Sequence, residues 1–303
     1  MNTLKIGLAL GGGGAKGFAH IGVIRALEEM NIRPGIVTGT SMGGAIGAMY
    51  AAGLGVNRIE AIVRGMGLTI LAAREPSHLG MFGKAKIKRL LHDALGDVAF
   101  DQLPRKLAVV AVDLESEAEV ILGSGPVVDA VLATMAFPGV FAPEIRDGRY
   151  LIDGGALNNV PFDVARQLGA DYVIACNVSA HRGSAFQDPL LTGAHAESLV
   201  RQLLLRSGAI TPWEVVERTI AIMQDGRLRD KLATHPPDVM ICPEVGHIGL
   251  FDVRQLDNCL AAGIAAARAC EAELASLRDE AVRPPEPPSL WTRMRDLVKR
   301  QPA

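Results

Sequence analysis

Short, uninterrupted apolar runs alternate along this chain with longer stretches in which apolar residues return every three or four positions. The first run, Leu4–Leu10, reads as a buried strand, and Gly17–Met30 follows as a helix with Ile21, Ile24, Leu27 and Met30 on one face. A short strand at Gly35–Thr38 leads into a small-residue helix, Met42–Ala52, and further helices are predicted at Val56–Met66 and Lys84–Leu95. "KLAVVAVDL" (Lys106–Leu114) is a strand paired with Glu119–Leu122, and a helix covers Val127–Met135. Asp171–Val178 is again a buried strand. Glu197–Met223 reads as largely helical with a break near Gly208–Pro212, and a strand at Val239–Cys242 and an Ala-rich helix at Val253–Leu277 close the domain. Strands and helices alternating at this spacing predict an α/β fold whose largely parallel sheet is covered on both faces.

The pattern changes near the end. "RPPEPPS" (Arg283–Ser289) breaks helices and favours extended chain. The expected organisation is one domain over residues 1–279, a Pro-rich linker over 280–289 and a basic amphipathic tail over 290–303. As a helix, Leu290–Arg300 places Leu290, Trp291, Met294, Leu297 and Val298 on one face and Arg293, Arg295, Lys299 and Arg300 on the other. Such a helix suits reversible contact with an anionic membrane surface, and equally suits docking on its own domain or on a second subunit.

Composition narrows the function classes. The chain has 303 residues, 49% of them apolar and 21% charged, enough for a substantial core, and aromatics are only 4%, so Ala, Leu, Val and Ile build it. A formal net charge of −2 gives no general attraction to nucleic acid. Cys176, Cys242, Cys259 and Cys270 form no C-x-x-C pair and predict reduced, mostly buried thiols rather than a zinc site. "MNTLKIGLAL" lacks the long apolar region and cleavage site of a signal peptide, and no run is long enough to span a bilayer. A cytosolic location is expected.

Candidate chemistry sits at three glycine-rich places. Gly12-Gly13-Gly14-Ala15-Lys16-Gly17 stands between a strand and a helix, where glycines let main-chain N–H groups hold an anion. It is no Walker loop, because Phe18 follows Gly17. It matches G-x-G-x-x-G literally, but no Asp or Glu lies between Glu29 and Glu60 to hold a ribose. Gly39-Thr40-Ser41-Met42-Gly43 is a G-x-S-x-G at a strand-to-helix junction. There a serine at the tip of a tight turn needs neighbours without Cβ atoms two residues either side, and the following helix N-terminus favours a nearby oxyanion; a serine N-cap is the simpler use of the same residue. Asp153-Gly154-Gly155 ends a short apolar strand, either as a plain turn or as a carboxylate placed to approach another backbone closely.

Taken together and in this order, the three elements resemble the bacterial patatin-like phospholipases, whose G-G-G-x-[KR]-G loop, G-x-S-x-G elbow and D-G-[GA] motif they match at every position. "VLATMAFPGVFAP" (Val131–Pro143, with Pro138 as a fixed turn) and "PDVMICPEVGHIGLFD" (Pro237–Asp252) are similar to further blocks of that family, and the resemblance covers roughly Lys5 to Arg268. It implies a three-layer α/β/α sandwich with a mixed, largely parallel sheet, and a lipid acyl hydrolase acting on (lyso)phospholipids or related acyl esters. It further implies a Ser41–Asp153 dyad, an oxyanion hole from Gly12, Gly13 and Gly14, and support from Lys16, Gly17, Gly39, Gly43, Gly154 and Gly155. It requires neither metal nor other cofactor. Gly67–Gly83 and Gly183–Leu205 are expected to wall the acyl pocket. Two other readings stay open: a Ser–Asp–His triad drawing on His181, His195, His235 or His247, and a nucleotide-binding module built on Gly12–Gly17.

Overall fold

The computed structural model describes residues 4–72, 84–179 and 212–281. Its centre is an eight-stranded mixed sheet. Strands β1 (Ile6–Leu10), β2 (Ile36–Thr40), β3 (Lys106–Asp113), β7 (Tyr172–Cys176) and β8 (Val239–Ile241) run parallel in the order β3-β2-β1-β7-β8. Strands β4 (Ala118–Leu122) and β6 (Arg149–Asp153) pair antiparallel with β3, and β5 (Glu144–Arg146) pairs with β6. Side-chain alternation splits the core in two. Leu8 and Leu10 face a large cluster with helices α1 (Ala19–Glu29), α2 (Met42–Ala51), α3 (Val56–Ala72), α4 (Ala85–Leu95), α5 (Val127–Thr134), α8 (Leu256–Ala269) and α9 (Glu271–Ala281). Ala9 faces a smaller one with α6 (Phe162–Gln167) and α7 (Pro212–Thr234). That is the expected three-layer α/β/α sandwich.

Several boundaries differ from the periodicity, each for a physical reason. A 3-10 turn, Gly14–Phe18, precedes α1, so the helix itself starts at Ala19. β2 continues to Thr40 because its threonines are buried with their hydroxyls donating to Pro161 O and Asn158 O, both at 2.9 Å. α7 runs on to Thr234, and the Ala-rich helix divides at Cys270 into α8 and α9. Residues 197–211 and 282–303 lie outside the described residues, and with them the predicted tail and the predicted linker apart from residues 280 and 281, which continue α9 and not an extended chain.

The sheet sets up the site through its register. On β3, Val109–Asp113 pair with β4, while Lys106–Val110 pair with β2 and Ala111–Asp113 pair with β6. One edge of a strand accepts one partner at a time, so β2 and β6 must share the edge opposite β4. They approach it from opposite directions: Thr40 ends β2 opposite Val110, and Asp153 ends β6 opposite Ala111. Two strand tips, and the residues at them, are thereby set side by side.

Helix α2 leaves the tip of β2 with all ten of its residues buried. Glycines at this junction are required by contact with backbone: a Cβ on Gly43 would lie 2.3 Å from Leu10 O and 2.5 Å from Gly11 O, and one on Gly39 would lie 2.6 Å from Gly43 O. Main-chain carbonyls held by strand and helix yield far less than side chains. Gly43→Ala is therefore expected to cost about 3 kcal/mol of stability, measured by denaturant unfolding; a loss below about 1 kcal/mol would show the turn to be looser than its geometry.

Candidate active site

Ser41 occupies the junction of β2 and α2 with φ 55° and ψ −126°, in the left-handed half of backbone space that a non-glycine residue rarely takes. Its side chain makes no capping bond to the helix, which removes the simple N-cap role. The backbone N–H of Ser41 donates to Thr134 Oγ1 at 2.9 Å. Strain of this kind costs roughly 1–3 kcal/mol and persists only where surroundings enforce it, most often at functional sites.

Asp153, at the tip of β6, is buried, and its Oδ1 accepts the Gly155 N–H at 2.8 Å. Oδ2 is also buried and has no hydrogen-bond partner among the described residues. Burial pushes this carboxyl up to about 6, while the neighbouring Ser41 hydroxyl and the Gly155 N–H pull it back toward the ordinary range. Ser41 and Asp153 line the same cavity, and no hydrogen bond among the described residues fixes Oδ2.

The glycine loop passes along the other side of Ser41. Gly14 has φ +54°, and a Cβ there would lie 2.4 Å from Leu250 O. Gly12 is braced at both backbone groups. Its N–H donates to Asn159 O at 3.1 Å, and its carbonyl accepts Ser179 Oγ at 2.9 Å and Asn159 Nδ2 at 3.3 Å. The expected use of the Gly12 N–H toward an oxyanion is therefore pre-empted by the Asn159 carbonyl. The N–H groups of Gly13 and Gly14 have no partner among the described residues. Behind the loop, buried His20 approaches Gly11 O through Nε2 at 2.7 Å, and burial lowers its pKa to about 4. It is neutral, a brace for the loop and no part of the cavity.

One cavity, with about 1040 Å³ of empty space including its solvent-open mouth, brings together Gly12, Gly13, Gly14, Lys16, Ser41 and Asp153. Gly17, Gly39, Gly43, Gly154 and Gly155 pack behind these groups, Gly17 against Met42 and Gly154 against Val110. The walls are mostly apolar: Met135, Phe137, Val140 and Phe141 from the segment before β5, Ile220 and Ala221 from α7, and Leu250, Phe251 and Val253. Residues 73–83 and 180–211, which hold most of the segments expected as walls, lie outside the described residues. Asn159, Thr134 and Gln224 were not singled out by the sequence. Asn159 follows Asp153 by six positions in a polar "NN" pair, which is the one signal that could have drawn attention to it.

His235 and His247 are exposed and neither lines the cavity; His181 and His195 lie outside the described residues. Asp153 and Asp225 both line the cavity, so two carboxylates would oppose a bound pyrophosphate. Among the described residues no group of His, Cys, Asp or Glu is placed to hold a metal ion, and no helix is long and apolar enough to cross a membrane.

Comparison with known proteins gives a family. A family model described as patatin-like phospholipase matches residues 8–166, which contain all three glycine-rich elements. An uncharacterised NTE-family protein of Mycobacterium tuberculosis is 36% identical over 205 residues, covering 65% of this chain and 56% of its own. Human patatin-like phospholipase domain-containing protein 6 is 33% identical over 216 residues, covering 69% of this chain but 15% of its own. The chain thus spans little more than half of the first relative and a small part of the second. Among solved structures, VipD from Legionella pneumophila superposes with a TM-score of 0.53 at 16% identity, covering 92% of this chain and 67% of that one, a likeness of fold. The chain belongs to the patatin-like phospholipase family.

Proposed function

We propose that this protein is a serine acyl hydrolase that cleaves acyl esters of (lyso)phospholipids or related lipids. One observation carries the reading: a serine held in strained backbone faces a buried carboxylate, with one unpartnered oxygen, in an apolar-walled cavity. In the proposed reaction Ser41 Oγ attacks the ester carbonyl while Asp153 accepts its proton. The carbonyl oxygen becomes an oxyanion, for which the N–H groups of Gly13 and Gly14 are the available loop donors and the N-terminus of α2 supplies further positive potential. The intermediate collapses, and Asp153 returns the proton to the leaving alcohol. Asp153 then takes a proton from the water that attacks the acyl-serine, and returns it to Ser41 Oγ as the second intermediate collapses, which releases the fatty acid and regenerates the free serine and the ionised carboxylate. Phe137, Val140, Phe141, Leu250 and Phe251 would shield an acyl chain during both steps. Lys16 adds positive charge at the cavity's edge.

The family and the relatives' names support the lipid-ester class, and the exposed positions of His235 and His247 support a dyad over a triad. The full chain treated with a fluorophosphonate should take up one equivalent at Ser41 and lose hydrolysis of a lysophospholipid in step. His247→Ala is expected to keep more than about half of the wild-type kcat. An adduct on another residue would reject the nucleophile, and a His247→Ala protein about 100-fold impaired but folded would restore the triad.

A further inference from the structure

We infer that Thr134, the last residue of α5, is a positioning residue that holds the strained Ser41 backbone at the join between β2 and β6. The inference rests on Ser41 being the nucleophile. Thr134 is completely buried, and its hydroxyl makes two bonds: it donates to Val110 O at 2.5 Å and accepts the Ser41 N–H at 2.9 Å.

The location explains why both partners need it. Val110 is the last β3 residue paired with β2, and Ala111 is the first paired with β6 on the same edge. At this point the edge changes partner, because β2 has turned into the elbow at Ser41 and β6 ends at Asp153. Val110 O and the Ser41 N–H are main-chain groups at that join, and the hydroxyl binds both. A threonine hydroxyl can donate one bond and accept another at once, so a single side chain satisfies both. Helix α2 cannot do this itself, since the first N–H groups of a helix have no carbonyl behind them. The same side chain also supports the elbow sterically: a Cβ on Gly44 would lie 2.8 Å from Thr134 Cγ2.

A hydrogen bond to the nucleophile's own N–H constrains ψ of Thr40 and φ of Ser41, the torsions that aim Oγ between Asp153 and the loop. Loss of that bond should leave substrate binding intact, because Thr134 does not line the cavity, and should impair attack. The effect belongs in kcat and in the rate of phosphonylation, with little change in KM.

The test compares Thr134→Val, Thr134→Ala and Thr134→Ser with wild type, using a p-nitrophenyl acyl ester, a fluorophosphonate and thermal unfolding. Thr134→Val keeps the shape and removes both bonds. Its kcat and its phosphonylation rate should fall together by about 10- to 100-fold, the scale of a misplaced reacting group, with KM within about twofold. Thr134→Ser, which restores the hydroxyl, should stay within about threefold of wild type. A Thr134→Val protein with normal kcat would overturn the inference. So would a serine variant as impaired as the valine one, which would leave only methyl packing on Gly44. If the valine and alanine variants both fail to fold while the serine variant is normal, the hydroxyl serves folding alone and the positioning role is rejected. Wild-type labelling decides the underlying reading separately: an adduct at Ser41 with an unaffected Thr134→Val protein rejects Thr134 only, whereas no adduct at Ser41 rejects the nucleophile.

Discussion

Ser41→Ala is expected to abolish ester hydrolysis, lowering kcat by at least about 10⁴-fold, while the protein remains folded. The size follows from the role: without Oγ no acyl-serine forms, and the loop and the helix N-terminus are left to act on water alone. Folding should survive because the removed hydroxyl makes no capping bond and the site is partly open. A companion variant sharpens the point. At φ 55° any residue with a Cβ is strained, and glycine is not, so Ser41→Gly should be equally inactive yet more stable than wild type, by about 1 kcal/mol. Calorimetry and turnover on the same samples check both. An inactive, stabilised glycine variant would show that the elbow's strain is retained for chemistry. Near-normal turnover in a folded Ser41→Ala protein would reject the mechanism.

The elbow was legible in the sequence because its constraints are local. Gly39 and Gly43 must lack Cβ atoms for reasons that lie within five residues and the strand beside them, and such requirements leave a mark in the chain. The buried strands were legible likewise, since β1 and β7 are apolar on both faces as a central parallel sheet demands. Strand β5 was not: it has three residues, two of them charged, and exists only because β6 offers an edge. The length of α7 was hidden for a different reason. Lys231 reads as a solvated position, yet it is largely enclosed, donating to Asn158 Oδ1 at 2.6 Å and Asp163 Oδ1 at 2.5 Å, so the helix is anchored through a polar residue that periodicity does not count. The roles of Thr134 and Asn159 were out of reach altogether. Each depends on the partner brought to it: the β3 edge shared by β2 and β6 for Thr134, and the backbone of Gly12, 147 positions away, for Asn159.

Asp153→Asn is expected to lower kcat by about 10⁴-fold and to stabilise the protein above pH 6. Asparagine keeps the shape and can still accept the Gly155 N–H through Oδ1, but it cannot take the serine proton. The stability effect follows from the raised carboxyl. Its folded pKa of about 6 exceeds the ordinary carboxylate value, so between the two the folded state binds more protons than the unfolded state. Stability of the wild-type protein therefore declines as pH rises from about 4 through 6 and then levels off, having lost on the order of 3 kcal/mol from this group. Asparagine has no such loss. The variant and the wild type should melt alike near pH 4 and diverge at pH 8, with the variant higher. In the wild type the same ionisation should appear as an ascending limb of kcat/KM near pH 6, because only the ionised carboxylate can act as base. Glutamate offers no shortcut here, since a longer side chain would have to fit a tip already closed by Gly154 against Val110 O. Thermal unfolding of both proteins at the two pH values, with the wild-type rate profile between them, tests the assignment. An asparagine variant less stable than wild type at pH 8 would show that the carboxylate's partners outweigh its burial, and a flat rate profile from pH 5 to 8 would remove Asp153 as the base.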